Sequence, residues 1–369
     1  MKILISLSDQ SFQHTKSMGI FNISMGLTRG LMNSPEITEL HILGNNECKE
    51  AFADVPPHVH LHLTDMPVPR RFERVWWDQV GLSAAIRRIS PDWAILPKGF
   101  APFFPNLGKT KLACFIHDTS WEYFGRLPAA QRKGAFPWYE LPYFVTLSLR
   151  TMRKSDLVLT HSAFNAGRIL HYVPTAHVAR IGIGFDDEPP AQINMDEKQD
   201  VLTYASPYPH KCTRETVDYI QAWLDQRADS NDIRVHIVGS LPESLALPSK
   251  NWFFYNRMPY PELMHLLRTK CRMAVYMSKY ESYGMPPVEC LLNGVPCIAS
   301  DFPSIRENIP EQYIFNLNSK PDFIRTANET YDELNPCCRP AYPTWNEVAR
   351  RCVQAMQNRG SFSSAGKDR

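Results

Sequence analysis

The chain has 369 residues and a formal net charge of +2. That length exceeds one compact core of ordinary size and implies two domains. The near balance of acidic and basic residues excludes the broad basic footprint of a nucleic-acid-binding protein, so no nucleic acid is expected as a partner. Nine cysteines are scattered without a C-x-x-C pair, which fits reduced, buried thiols and not a disulfide framework.

The N-terminus "MKILISLSD" enters an apolar strand at once and lacks the apolar core and cleavage site of a signal peptide. Short β-rich runs then alternate with helical patterns. Strands are expected at residues 2–7, 39–44, 58–63, 92–97, 111–118, 156–162 and 177–184, with helices at 19–32, 77–89, 139–154 and 163–170. Several strands are continuous apolar runs, as suits strands covered on both faces. This alternation predicts a parallel sheet flanked by helices. The stretch "FDDEPPAQINMDEKQD" holds six acidic residues and little to bury, and reads as a linker. The grammar then restarts, with strands at 201–206, 234–240, 252–257, 272–278 and 295–300 and helices at 213–227, 260–268 and 287–292. No run approaches the ~18 apolar residues of a membrane span. A cytoplasmic protein is expected, with peripheral contact at the inner membrane face left open.

The densest stretch is "SKYESYGMPPVECLLNGVPCIASD", residues 278–301. Glu281 and Glu289 flank a turn in which Gly284 lets the backbone approach a ligand. The turn opens a helix whose unpaired N–H groups form an anion site suited to a diphosphate. Glu281 is placed to face a sugar, and Glu289 to accept hydrogen bonds from a pair of ribose hydroxyls.

This stretch resembles the E-x7-E motif of retaining glycosyltransferases of the GT-B fold, family 4, also called glycosyl transferases group 1. The Glu, Gly, Pro, Glu, Gly, Pro spacing is kept, with Ser282 in place of the usual glycine. "SPYPHKC" resembles the segment whose lysine, here Lys211, binds donor phosphate; His210 and Ala205 stand where arginines are common. "FIHDTSWEYF" resembles the family's histidine-aspartate element, giving His117 and Asp118, with His117 donating to a sugar hydroxyl. "HTKSMGIFNISMGLTRGL" resembles the first-strand loop and helix, where Gly19 approaches diphosphate or acceptor. "WWDQVGLSAAIRRISPDWAILPKG" and "PTWNEVARRCVQAM" resemble further family segments, with Trp77 and Trp345 as core aromatics.

The resemblance implies two Rossmann-like domains facing across a cleft: an acceptor domain at 1–187 and a donor domain at 188–342. A helix at 343–358 would cross back to the first domain, followed by a disordered tail at 359–369. It implies transfer of a hexose, mannose or a relative, from a nucleoside-diphosphate sugar with retention, in cell-surface polysaccharide synthesis such as that of lipopolysaccharide. His117, Asp118 and Glu281 would be catalytic. Gly19, Lys211, Ser282, Tyr283, Gly284, Met285, Pro286 and Glu289 would bind donor. No cofactor or metal is expected. GDP-mannose or a related GDP-sugar is favoured over a UDP-sugar, and the acceptor would be a glycan or lipid-linked oligosaccharide, met by aromatics with Arg126, Arg132 and Lys133. Two alternatives are a non-catalytic glycan-binding or scaffolding descendant and an enzyme of the UDP-N-acetylglucosamine 2-epimerase type. A dehydrogenase is disfavoured because no G-x-G-x-x-G follows the first strand.

Overall fold

A computed structural model of the chain describes residues 1–8, 10, 18–64, 76–128, 140–186, 195, 197–248, 250–333 and 341–364. The chain divides into two compact units, one of residues 1–119, 140–186 and 342–369, the other of residues 120–139 and 187–341. Residues 120–128, within the stretch expected to belong to the first domain, group with the second unit.

The first half of the chain runs β1 (Lys2–Ser6), α1 (Met18–Met32), β2 (Glu39–Asn45), α2 (Cys48–Ala51), β3 (Val59–Thr64), a π-helical turn Trp77–Gly81 continuing into α3 (Leu82–Ile89), β4 (Trp93–Leu96) and β5 (Lys111–Phe115). It continues through α4 (Trp121–Arg126), α5 (Glu140–Lys154), β6 (Leu157–Thr160), α6 (Ala163–Tyr172) and β7 (Val178–Arg180). The strands form one parallel sheet in the order β3-β2-β1-β4-β5-β6-β7. Its central strands are the continuous apolar runs of the sequence: Ile3, Leu4 and Ile5 are fully buried, as are Val158 and Leu159. Side chains on both faces of such a strand leave water, and each contributes roughly 1.5–3 kcal/mol. Ser162 starts α6 by accepting a hydrogen bond from the Asn165 N–H at 3.1 Å.

The second half carries β8 (Asp200–Ala205), α7 (Thr213–Leu224), β9 (Val235–Gly239), β10 (Trp252–Tyr255), α8 (Tyr260–Thr269), β11 (Cys271–Tyr276), α9 (Met285–Leu292), β12 (Cys297–Ser300), α10 (Pro303–Arg306), β13 (Ile314–Phe315) and α11 (Lys320–Tyr331). Its parallel sheet has the order β10-β9-β8-β11-β12-β13, the doubly wound pattern. Trp223, Phe315 and Phe323 are fully buried in its core. The expected linker does more than connect. Most of its residues lie outside the described set, but its end buries Met195, Lys198 and Asp200, and Asp200 meets His236 at 2.9 Å. Seven cysteines are free and buried; Cys337 and Cys338 lie outside the described residues. No described helix is long and apolar enough to cross a membrane.

The chain returns to the first unit through α12 (Trp345–Ser364). Residues 359–364 are helical, where the sequence reading placed a disordered tail. Trp345 is buried, as expected of a core aromatic, whereas Trp77 is half-buried and its indole N–H donates to Ser8 Oγ at 3.0 Å. α1 and α12 meet along a seam of small residues. A Cβ on Gly26 would lie 2.0 Å from the Trp345 indole, and one on Gly30 would lie 2.3 Å from the Trp345 carbonyl oxygen. The first clash involves a side chain, the second a backbone. Gly30→Ala must therefore part the helices, and a loss of ~1–3 kcal/mol in urea unfolding is expected; an unchanged midpoint would contradict this packing.

Candidate functional site

Strand order reverses once in each sheet, between β1 and β4 and between β8 and β11. Beyond the carboxyl ends of such strands a crevice opens, the usual ligand site of doubly wound sheets. In the second unit, the loops leaving β8 and β11 at this point carry Lys211, Glu281 and the glycine turn.

The β11 loop is pinned from several sides. Ser278 N–H donates to Ser300 Oγ at 2.8 Å, and the Ser278 hydroxyl donates to the Tyr280 carbonyl at 2.7 Å. Ser304 Oγ donates to the Glu281 carbonyl at 2.8 Å, and the Asn308 amide to the Tyr283 carbonyl at 2.9 Å. Gly284 closes the loop at φ +89° and caps α9. A Cβ there would lie 2.4 Å from Ile305 Cδ1, so glycine is needed for both conformation and contact. α9 starts at Met285, two residues earlier than the sequence suggests, with Pro286 and Pro287 inside its first turn. The prolines remove two N–H donors, so an anion at this helix end meets fewer backbone donors than usual and depends more on a nearby cation.

That cation is Lys211, at the end of the 3-10 turn Pro209–Lys211 after β8. Its ammonium donates to Glu281 Oε2 at 2.7 Å and to the Tyr276 hydroxyl at 2.8 Å. Tyr276 in turn donates to the same carboxylate oxygen, and Ser282 N–H donates to Oε1 at 3.1 Å. The Lys211 and Glu281 side chains are only 27% and 12% exposed. Burial would raise the Glu281 carboxyl, but Lys211, Tyr276 and the Ser282 N–H outweigh it and hold the group at about 2. Burial likewise would lower the Lys211 ammonium, and Glu281 with Tyr276 reverses that, raising it above the lysine range. Both groups are charged at neutral pH. An ammonium has three hydrogens; two are engaged, leaving one for a phosphate oxygen while Glu281 stays held.

His210 does not supply a second positive charge. Burial first, then the Lys211 charge, lowers its imidazole to about 3. The ring lies among Tyr123, Phe124 and Tyr208, at centroid distances of 5.8, 5.3 and 6.0 Å. Its role here is structural: its carbonyl accepts Lys279 N–H at 2.7 Å and Ser278 Oγ at 3.1 Å, tying the two loops together. Lys279 pairs with Glu215 at 2.6 Å. Glu289 is half-buried on α9, close enough for its charge to act on the half-buried Tyr204. Ser282, Met285 and Pro286 are half-buried and Tyr283 is buried.

In the first unit, His117 follows β5 and is 8% exposed. Its Nε2 lies 2.5 Å from the Pro97 carbonyl, which requires a proton on Nε2. Nδ1 has no partner, and burial lowers the imidazole to about 4. The neutral ring therefore carries its lone pair on the buried Nδ1, and its one N–H is taken up by the Pro97 carbonyl. Its ring stacks on Phe115 at 4.6 Å, with His161 at 6.3 Å. Asp118 and Gly19 are half-buried, the latter one residue into α1. Arg132 and Lys133 lie outside the described residues. Concavities of about 310 Å³ beside Arg150 and 500 Å³ beside His265 contain none of the candidate residues.

Two residues escaped the sequence reading. Tyr276 looks like one more apolar position in "RMAVYMS"; its only signal is a polar tip at the carboxyl end of a buried strand. His161 directly follows β6, beside His117.

Residues 187–320 match the family model described as "Glycosyl transferases group 1". No curated protein matches the sequence. Among solved structures, the chain resembles WaaG, a glycosyltransferase involved in lipopolysaccharide biosynthesis, at 11% identity, with 100% of each chain covered and a TM-score of 0.62. It resembles Anabaena Alr3699/HepE in complex with UDP and glucose at 14% identity, with 99% and 100% covered and a TM-score of 0.58. A putative UDP-N-acetylglucosamine 2-epimerase from Listeria monocytogenes is similar at 14%, with 98% and 97% covered and a TM-score of 0.59. TarM matches 72% of this chain at 15% identity and a TM-score of 0.50, and the chain spans about half of TarM, 51%. The fold is GT-B. The family match, over the unit that carries Lys211 and Glu281, supports a group 1 glycosyltransferase. Fold alone does not separate transfer from epimerisation, since both occur among the neighbours.

The Glu281 carboxyl has a depressed pKa, so its stabilisation is present above the ordinary value of 4.5 and is lost as pH falls towards about 2. Comparing wild type with Glu281→Gln should show ~1–3 kcal/mol lost at neutral pH, shrinking below pH 4.5. A pH-independent difference would contradict the ion pair.

Proposed function

We propose that the protein is a retaining glycosyltransferase that moves a hexose from a nucleoside-diphosphate sugar to a glycan or lipid-linked acceptor. The observation that carries this reading is the Lys211–Tyr276–Glu281 network at the β8/β11 reversal, beside the N-terminus of α9. Lys211 and the N–H groups of Gly284 and Met285 hold the diphosphate and offset the charge that grows on it as the glycosidic bond breaks. Glu281, kept ionised, accepts from sugar hydroxyls and orients the ring. Glu289 accepts from the ribose. In the first unit, His117, Asp118 and Gly19 are the proposed substrate-contacting residues.

Retention follows if the acceptor oxygen attacks the anomeric carbon on the face the phosphate leaves. The new carbon–oxygen bond forms as the sugar–phosphate bond breaks, and the acceptor proton passes to the departing phosphate oxygen. No step requires a metal. For the donor nucleotide, the sequence-based preference for GDP gains nothing from the neighbours, one of which is described with UDP and glucose; UDP- and GDP-sugars are tested together. A cytoplasmic location and cell-surface polysaccharide as the product remain part of this proposal.

The test is release of nucleoside diphosphate from UDP- and GDP-hexoses with lipid-linked acceptors, with the product anomer read by NMR. Glu281→Gln should lower kcat by ~100-fold or more, and Tyr276→Phe by ~10-fold through a lost hydrogen bond to a charged group. An inverted product would overturn retention. Full turnover in Glu281→Gln would remove the acid from the mechanism. Nucleotide binding without any turnover would favour the non-catalytic alternative.

A further inference from the structure

β2 and β3 lie at one border of the first sheet, with β3 outermost among the described strands. They run parallel, with His41 opposite His60 and Leu43 opposite His62. Side chains alternate along a strand, so Glu39, His41, His60 and His62 share one face. Further along this face Leu4 and Leu43 pack against Leu82, Ile86 and Ile89. The imidazoles crowd at its open end: the His41 ring is 4.9 Å from that of His60 and 5.1 Å from that of His62. One ligand-capable atom each from Glu39, His41 and His60 lies within 4.8 Å of the others.

We propose that Glu39, His41 and His60 bind a divalent transition cation of zinc's class, joining β2 to the outer strand β3. Two imidazoles and a carboxylate are a donor set that zinc accepts, with a fourth position left for water. Bonds of ~2.0–2.2 Å to a common centre bring ligand atoms to roughly 3.4 Å from one another. The present spacing closes to that by side-chain rotation, because His60 is exposed and Glu39 is half-exposed. His41 is already oriented for the task. Its Nε2 lies 3.2 Å from Glu39 Oε2, and its Nδ1 lies 2.8 Å from His62 Nε2. With the proton on Nδ1, His41 donates to His62 and offers Nε2 to the cation, the arrangement in which a metal-bound histidine is held by a neighbour.

Two positive charges oppose the ion. Lys2 Nζ lies 3.2 Å from Glu39 Oε2, and the charge of Arg88 acts on His62. Lys2 has a long side chain, 31% exposed, which can swing into solvent when the cation takes its place. The competition weakens the site without closing it. Binding adds a cross-strand link at a strand that, among the described residues, pairs on one side only, and it stabilises the folded chain with the logarithm of how far the cation exceeds its Kd.

The test is calorimetric titration of the full chain with Zn²⁺, with cobalt absorption as a second readout because the chain holds nine cysteines. One equivalent should bind. His60→Ala and Glu39→Gln should each weaken it by ~10-fold or more, and His62→Ala by ~10-fold through lost support of His41. Zinc should raise the Tm of wild type but not of His60→Ala, whose metal-free Tm should be unchanged since the residue is exposed. Cobalt should give only weak visible bands. The proposal is overturned if no zinc binds at submillimolar concentration, if His60→Ala and Glu39→Gln bind as wild type does, or if cobalt shows an intense thiolate band.

Discussion

An ammonium and a carboxylate withdrawn from water are tolerated only where their geometry satisfies both, and the second unit is arranged around one such pair. Lys211 and Glu281 come from loops seventy residues apart in sequence, and they meet because β8 and β11 are neighbours in the sheet. Tyr276 completes the arrangement by accepting from the lysine and donating to the carboxylate. Removing one partner of such a pair leaves an uncompensated charge, which costs more than the pair contributes when intact. The surrounding hydrogen bonds of Ser278, Ser300, Ser304 and Asn308 hold the loop in the one conformation that keeps the pair together.

The same network bears on the chemistry. Pro286 and Pro287 shape the start of α9 but take away two of its N–H donors, so the helix end alone is a thin anion site. Lys211 makes up the deficit, and its fixed position means little reorganisation is needed when negative charge develops. His210 shows the complementary case. Where a second cation could have stood, aromatic burial leaves a neutral ring whose backbone carbonyl fastens the two loops. In the proposed diphosphate site the positive charge among the described residues comes from Lys211, so substitutions there should weaken nucleotide binding strongly.

Much of this was legible in the sequence, and the failures have physical causes. Continuous apolar runs identified both parallel sheets, and the spacing of Glu281, Gly284, Pro286 and Glu289 located the turn. Tyr276 was hidden because a buried tyrosine inside an apolar strand looks like core until the partner of its hydroxyl is known. α11 was missed because "KPDFIRTANETY" mixes threonine and asparagine with few apolar residues; it is held by the buried face Phe323, Ala327 and Tyr331 and by Ser319 at its start. β13 has two residues, too few for any period. Residues 120–128 group with the second unit, where Phe124 meets His210, a contact that no local pattern encodes. The Glu39, His41 and His60 cluster was invisible for a similar reason: it is created by strand register, not by spacing along one segment.

The most direct measurement is calorimetric titration of the full chain with UDP and with GDP, on wild type, Lys211→Gln and Glu289→Gln. We expect one of the two nucleotides to bind wild type in the micromolar range, with the affinity falling ~10-fold or more in each variant as a charge-assisted contact is lost. Failure of both nucleotides to bind wild type, or equal affinity in all three proteins, would contradict a diphosphate site at Lys211 and the start of α9.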